Sequence, residues 1–298
     1  MLEQIEVLMR EHIESIGDSR SLELYEKVPK GKRLRAKLIL KIAGETKESI
    51  ELASVVELIH AASLLHDDVI DEADTRRGVT SINHAFGNMT AIMLGDILYS
   101  KGFTKLTYLP NEVARSVADA VTKLSVGELL DVELANAFNT NQDIYFDMIY
   151  KKTASLIEAS AFSAASLAGK DTSKYALYGR NLGLAFQVID DVLDITSSSK
   201  VLGKPALNDF REGKTTLPYL YMYEKLNEDD KTKLLSYFRK DLSEDQSNWI
   251  KAKFDETGAV AKSIKYAQKL GYEALEAIKD ENLPDLEKII KEMIVRDF

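Results

Sequence analysis

The chain has 298 residues, 45% hydrophobic and 29% charged, the balance of a globular protein with a substantial core and not of a disordered or collagenous one. It contains no cysteine, which excludes disulfides, thiolate metal sites and a cysteine nucleophile. A net charge of −9 excludes a nucleic-acid binder held by a basic surface. Residues 1–17 are acidic and lack an apolar segment, so they do not form a secretory signal, and a cytoplasmic location is expected. No stretch reads as a transmembrane helix: the uncharged run from Gly78 to Gly95 is too polar to span a bilayer.

In chain order, the first local signal is the basic patch Lys30-Gly31-Lys32-Arg33-Leu34-Arg35. From Glu48 to Leu65 apolar residues recur at three- and four-residue spacings, the signature of a helix. Residues 88–109, 111–137, 142–168, 173–195 and 216–226 read the same way, with wide apolar faces that fit buried helices. No segment alternates as a strand, and Gly and Pro fall between the helical runs. The tail from Asp229 to Phe298 is more charged and predicts a shell of shorter amphipathic helices. No linker, repeat or composition shift divides the chain, so residues 1–298 are expected to form one all-α domain.

The first helix runs into His66-Asp67-Asp68-Val69-Ile70-Asp71. Asp67 and Asp71 are four apart and project from one face, and Asp68 points about 100° away. Carboxylates clustered at a helix C-terminus repel one another and oppose the macrodipole, so something must compensate them. Alone, such a cluster reads equally well as a solvated helix end. The pattern recurs, however, in Gln187-Val188-Ile189-Asp190-Asp191-Val192-Leu193-Asp194, inside another apolar helix. Two such helices in one bundle can face each other across a cavity and offer hard oxygens to magnesium, which keeps coordination positions for substrate phosphates. Cations follow each cluster: Arg76 and Arg77 after the first, then Lys200, Lys204, Arg211 and Lys214 after the second. With Lys151-Lys152-Thr153 and the patch at residues 30–35, they describe two diphosphate sites, one bridged by metal and one purely cationic.

These residues resemble the trans-isoprenyl diphosphate synthases, the polyprenyl synthetase family. The resemblance runs from about Pro29 to Glu224, with a weaker echo to Arg296. It is carried by Gly31-Lys32-Arg33-Leu34-Arg35, Leu65 to Asp71, Arg76-Arg77-Gly78, Gly95-Asp96, Gly127-Glu128, Lys152-Thr153, Phe186 to Asp194, Leu202-Gly203-Lys204-Pro205 with Asp209, and Glu212 to Pro218. Ala36 departs from the family, where proline is frequent, and so does Asp131, where glutamine is common.

The resemblance implies a single-domain bundle of long antiparallel helices around a central cavity. The implied reaction joins an allylic diphosphate to isopentenyl diphosphate in trans geometry and releases pyrophosphate, itself the proton acceptor of the final elimination. Asp67, Asp71 and Asp190 would hold magnesium, about three ions with substrate bound. Arg76, Lys152, Lys204 and Lys214 would add positive charge to the allylic diphosphate. Lys32, Arg35, His60 and Arg77 would bind isopentenyl diphosphate without metal. Thr153 and Gln187 would turn oxygens toward the allylic cation, and Asp68, Asp191 and Asp194 would stand behind the metal ligands. His60 lies two turns before Asp67 on the same side of its helix.

In the resembling family a Phe or Tyr five or four residues before the first motif forms a floor that stops chain growth. Here those residues are Ala62 and Ser63, with Ile59 one turn deeper. An open tunnel implies a long-chain product of roughly C30 to C40, reckoned at about 1.5 Å of helix rise per residue, of the kind used in a quinone side chain. A floor from Met93 or Tyr99 would shorten it, and a farnesyl or geranylgeranyl diphosphate synthase is the alternative. An inactive subunit of a two-subunit synthase, a terpene cyclase and an HD-type phosphohydrolase fit less well, because both aspartate motifs and the basic patch are intact and only four histidines are present. A homodimer is implied, with residues 88–124 contributing, as is a peripheral hand-off of the product at a membrane.

Overall fold

The computed structural model describes residues 2–196 and 207–294. Lys200 and Lys204, with the Gly203-Pro205 part of their loop, lie outside the described residues. The chain divides into two compact units, Met1–Val121 with Ala159–Tyr175, and Thr122–Glu158 with Ala176–Phe298. The division falls inside continuous helices and no linker marks it.

The first unit is built on helix α4, Lys47–Ile70, which packs against α1 (Leu2–Glu14), α3 (Leu34–Ala43) and α6 (Asn88–Leu106). A reciprocal capping box starts α4: the Ser49 amide donates to Thr46 Oγ1 (3.1 Å) and the Thr46 amide to Ser49 Oγ (2.9 Å). Every residue from Leu52 to Ile59 is buried, so α4 is apolar on all sides because it is the unit's central helix. It is the one helix among the described residues long and apolar enough to cross a membrane, and it is mostly buried, as a core helix is.

Two glycines seven apart set how closely α6 approaches α4. A Cβ at Gly102 would lie 3.0 Å from Ile59, and one at Gly95 would lie 2.3 Å from the His66 ring. Beyond α4 the chain forms a hairpin, β1 (Thr75–Arg76) against β2 (Val79–Thr80). Its two-residue turn, Arg77-Gly78, has both φ angles positive, at 53° and 77°. That is the turn geometry that matches strand twist. The sequence reading had only a break here. Two-residue strands are too short for alternation to register, and the Arg-Gly pair between Thr75 and Val79 was the available signal.

The second unit contains α8 (Gln142–Ile149), a π-helical turn (Tyr150–Ala154), and most of α10 (Thr172–Thr196). It continues through α11 (Asn208–Arg211), α12 (Leu217–Lys225), α13 (Glu228–Tyr237), α14 (Glu244–Thr257), α15 (Ala259–Ala277) and α16 (Pro284–Ile294). Its core joins Val188 and Ile189 of α10 to stacked aromatics: Phe210 on Tyr219 (4.7 Å) and Tyr219 edge-on to Phe254 (4.9 Å). Tyr178 Oη donates to the Leu286 carbonyl (2.7 Å), tying α16 to α10. The expected shell of short tail helices holds for α13, α14 and α16, but α15 runs for 19 residues because Ala267, Leu270, Gly271 and Ala274 bury a continuous stripe.

Candidate active site

In the first unit the aspartates stand where α4 ends. Asp67 is half-buried and Asp68 buried, while Asp71 is the exposed C-cap whose amide donates to the Asp67 carbonyl (2.8 Å). The four-residue spacing therefore survives through the last helical turn. Asn83 fastens the turn beyond, its Nδ2 donating to the carbonyls of Asp68 (3.0 Å) and Ala73 (3.1 Å). Asp68 faces the hairpin and accepts from Arg76 Nε at 2.6 Å. Buried Asp68 is thus spent on a protein partner, and it orients Arg76.

The hairpin turn carries Arg77 back to the N-terminal patch. Its Nη1 donates to the Pro29 carbonyl (2.9 Å), and a Cβ at position 31 would lie only 2.7 Å from that nitrogen, so Gly31 makes room for the guanidinium. Arg33 is diverted to structure: it pairs with Glu6 (2.5 Å) and with buried Glu57 (3.3 Å). Glu57 also accepts the Ala36 amide at 3.0 Å. A proline at 36 has no such proton, which gives the departure at Ala36 a structural role. Glu57, a lone acid in an apolar helix, was the residue missed by the sequence reading.

Arg35, His60, Arg76 and Arg77 are brought together. Burial and the charges of Arg35, Arg77 and Arg76 hold the His60 imidazole well below its usual pKa. Burial first, with Arg77 beside it, also lowers Arg35, whose buried Nε has no hydrogen-bond partner among the described residues. A concentration of positive charge with an unspent donor is a site for an anion. Lys32 is exposed at its edge. His66 packs on Gly95 and Tyr99 and serves the α4–α6 contact. Ala62 and Ser63 are buried one turn below the aspartates, and Ser63 Oγ donates to the His60 carbonyl (2.9 Å).

In the second unit α10 carries Asp190 half-buried and Asp191 and Asp194 buried. Thr153 Oγ1 donates to Gln187 Oε1 (2.8 Å), and Gln187 Nε2 donates to Asp191 Oδ1 (3.0 Å), which joins the two residues assigned to the allylic cation. Tyr145 Oη donates to the other Asp191 oxygen. Lys152 sits between Asp131 (2.6 Å) and Glu128 (2.9 Å). Burial alone would lower its pKa, but those two carboxylates outweigh burial and raise it. Gly127 lets this helix meet the π-helical turn, since a Cβ there would lie 2.3 Å from the Lys152 nitrogen. The acid at Asp131 is thus the ion-pair partner of a proposed substrate residue. Lys214 bonds Glu212 at 2.7 Å, placed by Gly213, whose φ of 89° brings the chain against Ala135.

Asp191, Asp194 and Asp209 crowd one another in this unit. Burial and neighbouring Asp209 push Asp191 up to about 8. Burial raises Asp194 to about 6, and burial with Asp194 raises Asp209 to about 7. Such a set fits a hard divalent cation, which would restore the ionised forms. Among the described residues no group of three or more acidic or histidine side chains is placed to hold a metal ion by itself.

An all-α scaffold with aspartate-ended helices, an anion-binding cluster and an undercompensated acidic set defines a class of diphosphate-handling proteins. A family model described as polyprenyl synthetase matches residues 21–254, and the chain belongs to that family. Solanesyl-diphosphate synthase 1, mitochondrial, from Oryza sativa subsp. japonica is 48% identical over 178 residues, 58% of this chain and 41% of the relative. The match therefore spans less than half of that curated relative's length. Octaprenyl pyrophosphate synthase from Helicobacter pylori superposes with a TM-score of 0.95 at 45% identity, covering 99% of this chain and 98% of that one. A polyprenyl synthase from Caulobacter crescentus, complexed with calcium and isoprenyl diphosphate, superposes at 0.89 with 28% identity, covering 100% and 95%. Other similar structures are named for products from geranylgeranyl to decaprenyl diphosphate.

Proposed function

We propose that this chain is a magnesium-dependent trans-prenyltransferase, a single polyprenyl synthetase domain over residues 1–298. It extends an allylic diphosphate such as farnesyl diphosphate with isopentenyl diphosphate. One observation carries the reading: Arg35, His60, Arg76 and Arg77 form a partly desolvated cationic cluster beside the same helix that ends in Asp67 and Asp71.

The chemistry asks for two things, neutralisation of a leaving diphosphate and protection of an allylic cation from water. Asp67, Asp71 and Asp190 would hold the metal, about three Mg²⁺ ions with substrate bound, which would supply positive charge for the leaving group. Lys152 and Lys214, with Lys204 from beyond the described residues, add charge to the same group. The Glu128–Asp131 pair keeps Lys152 protonated and aimed. Arg76 is held in place by Asp68 while its remaining nitrogens reach for phosphate. Arg35, Arg77 and Lys32 take the diphosphate of isopentenyl diphosphate, and neutral His60 offers it a hydrogen bond. Gln187 and Thr153 turn oxygens toward the cation.

Small side chains at Ala62 and Ser63 support a product of roughly C30 to C40, since neither of these α4 positions, about one turn before the aspartates, carries an aromatic ring. Such a product suits a quinone side chain and would be handed off at a membrane surface, with the enzyme itself cytoplasmic. Exposed Met89, Ile92, Met93 and Phe103 along α6 support a homodimer through that face, and light scattering at micromolar concentration tests it. The reaction is tested by incubating the purified chain with Mg²⁺, farnesyl diphosphate and isopentenyl diphosphate. Released pyrophosphate and a long-chain alcohol after dephosphorylation are expected. The absence of both would overturn the reading.

A further inference from the structure

Tyr145 has no place in the reaction as described above, yet it ends a chain of hydrogen bonds that reaches the cation-facing residues. Its ring is fully buried at the centre of the second unit's core, edge-on to Phe146 (5.2 Å). Its hydroxyl donates to Asp191 Oδ2. Asp191 Oδ1 accepts from Gln187 Nε2 (3.0 Å), and Gln187 Oε1 accepts from Thr153 Oγ1 (2.8 Å). Three elements meet in this chain: α8 gives Tyr145, α10 gives Asp191 and Gln187, and the π-helical turn gives Thr153.

The local backbone is shaped for it. Gly183, Gln187 and Asp191 follow one another at four-residue intervals on α10 and share a face. At the first of these a Cβ would lie 2.5 Å from the Ala154 Cα, so Gly183 allows α10 to lie directly on the π-helical turn. Such turns insert an extra residue into a helix and recur at functional sites. Here the turn presents Thr153 to Gln187, one step along the same face.

We propose that Tyr145 is a positioning residue for the prenyl-transfer step, acting through Asp191 to fix which end of the Gln187 amide is oxygen. A primary amide can rotate by half a turn at little steric cost, so its direction must come from its partners. Ionised Asp191 accepts at both oxygens, at Oδ2 from the Tyr145 hydroxyl and at Oδ1 from Gln187. It therefore takes the Gln187 NH₂ group and turns Oε1 away, toward Thr153. Without the Tyr145 hydroxyl the carboxylate loses the bond that sets its plane, and the amide loses its preference. The second lone pair of Oε1 is then no longer held where an allylic cation needs it. The inference rests on the prenyltransferase reading for the role of that oxygen, but the hydrogen-bond chain can be tested without turnover.

Tyr145→Phe removes the hydroxyl and keeps the ring. The expected kinetic result is a fall in kcat of about tenfold, with KM for both diphosphates changed by less than about twofold. On a Gln187→Ala background the same substitution should have no further effect, because the group through which it acts is gone. Equal losses on both backgrounds would show that Tyr145 serves packing alone and would overturn the proposal. The independent arm is NMR of the Gln187 side-chain NH₂, assigned by its disappearance in Gln187→Glu. Its protons should be protected and shifted in the wild type and should become labile in Tyr145→Phe. In Thr153→Val, which leaves the Tyr145–Asp191 end intact, they should stay in place. A mobile amide in Thr153→Val, or an unmoved one in folded Tyr145→Phe, would refute the relay. Should the wild type make no prenyl product, the functional reading fails, and the NMR arm still decides whether Tyr145 directs the amide.

Discussion

The two aspartate-ended helices share a spacing but not an electrostatic design. At the end of α4 the carboxylates are met by cations, with Asp68 on Arg76 and the Arg35–His60–Arg77 cluster close by. Along α10 the carboxylates meet other carboxylates, and Asp191, Asp194 and Asp209 are pushed up to about 8, 6 and 7. One end carries a local excess of arginine and the other a crowd of buried acids. What they share is a division within each motif. The second aspartate is buried and bonded to the protein, Asp68 to Arg76 and Asp191 to Tyr145 and Gln187, while the first, Asp67 or Asp190, is half-buried. The motif thus joins an anchoring carboxylate to a presenting one.

The largest effect should come from the presenting residue of the acidic end. Asp190→Ala should cut kcat by at least a hundredfold, since electrostatic stabilisation of a leaving group is worth several kcal/mol. A loss of less than about tenfold would mean that Asp190 is not a metal ligand. At the cationic end, Arg77→Ala should raise KM for isopentenyl diphosphate by about tenfold or more and leave KM for the allylic substrate nearly unchanged, because a charge-assisted hydrogen bond is lost. If both constants rose together, the two diphosphates would not be recognised separately.

A smaller effect is expected on stability. Asp194 and Asp209 have folded pKa values raised above the unfolded 3.8, so the native state binds the extra protons. Metal-free stability should therefore fall as pH rises from about 4 through the folded values near 6 and 7. Mg²⁺ should restore melting temperature more at pH 8 than at pH 5.5, as it requires the ionised carboxylates. Differential scanning calorimetry at the two pH values checks this, and an equal Mg²⁺ effect at both would count against the acidic end as a metal site. The smallest effect on total turnover is expected for Ala62→Tyr, which should shorten the product while its larger ring costs packing at a buried position, as chromatography of dephosphorylated products would show.

The helical fold was largely legible because apolar spacing survives in nearly every buried helix. The two aspartate motifs stood out because carboxylates are unusual on apolar helices, whereas the roles given to Arg35, His60, Arg76, Arg77, Thr153 and Gln187 rest on the resemblance to the polyprenyl synthetase family. Less legible were the residues that act by holding others. Tyr145 reads as an ordinary core aromatic and Glu57 as an isolated acid, while Glu128 and Asp131 read as a family motif and a departure from it with no sign of Lys152 as their partner, since only the folded chain brings each to its partner. The π-helical turn was equally silent, because it breaks the helical period by one residue within a run that otherwise keeps it.

The division between presenting and anchoring aspartates is tested most directly by measuring kcat and melting temperature side by side for Asp67→Ala and Asp68→Ala. Asp67→Ala should abolish turnover and lower the melting temperature less than Asp68→Ala does, because Asp67 is half-buried and Asp68 is buried. Asp68→Ala should lower stability by about 2–3 kcal/mol, because it leaves Arg76 without its buried partner. The opposite pattern, a destabilised but active Asp67→Ala and a stable but inactive Asp68→Ala, would contradict the account.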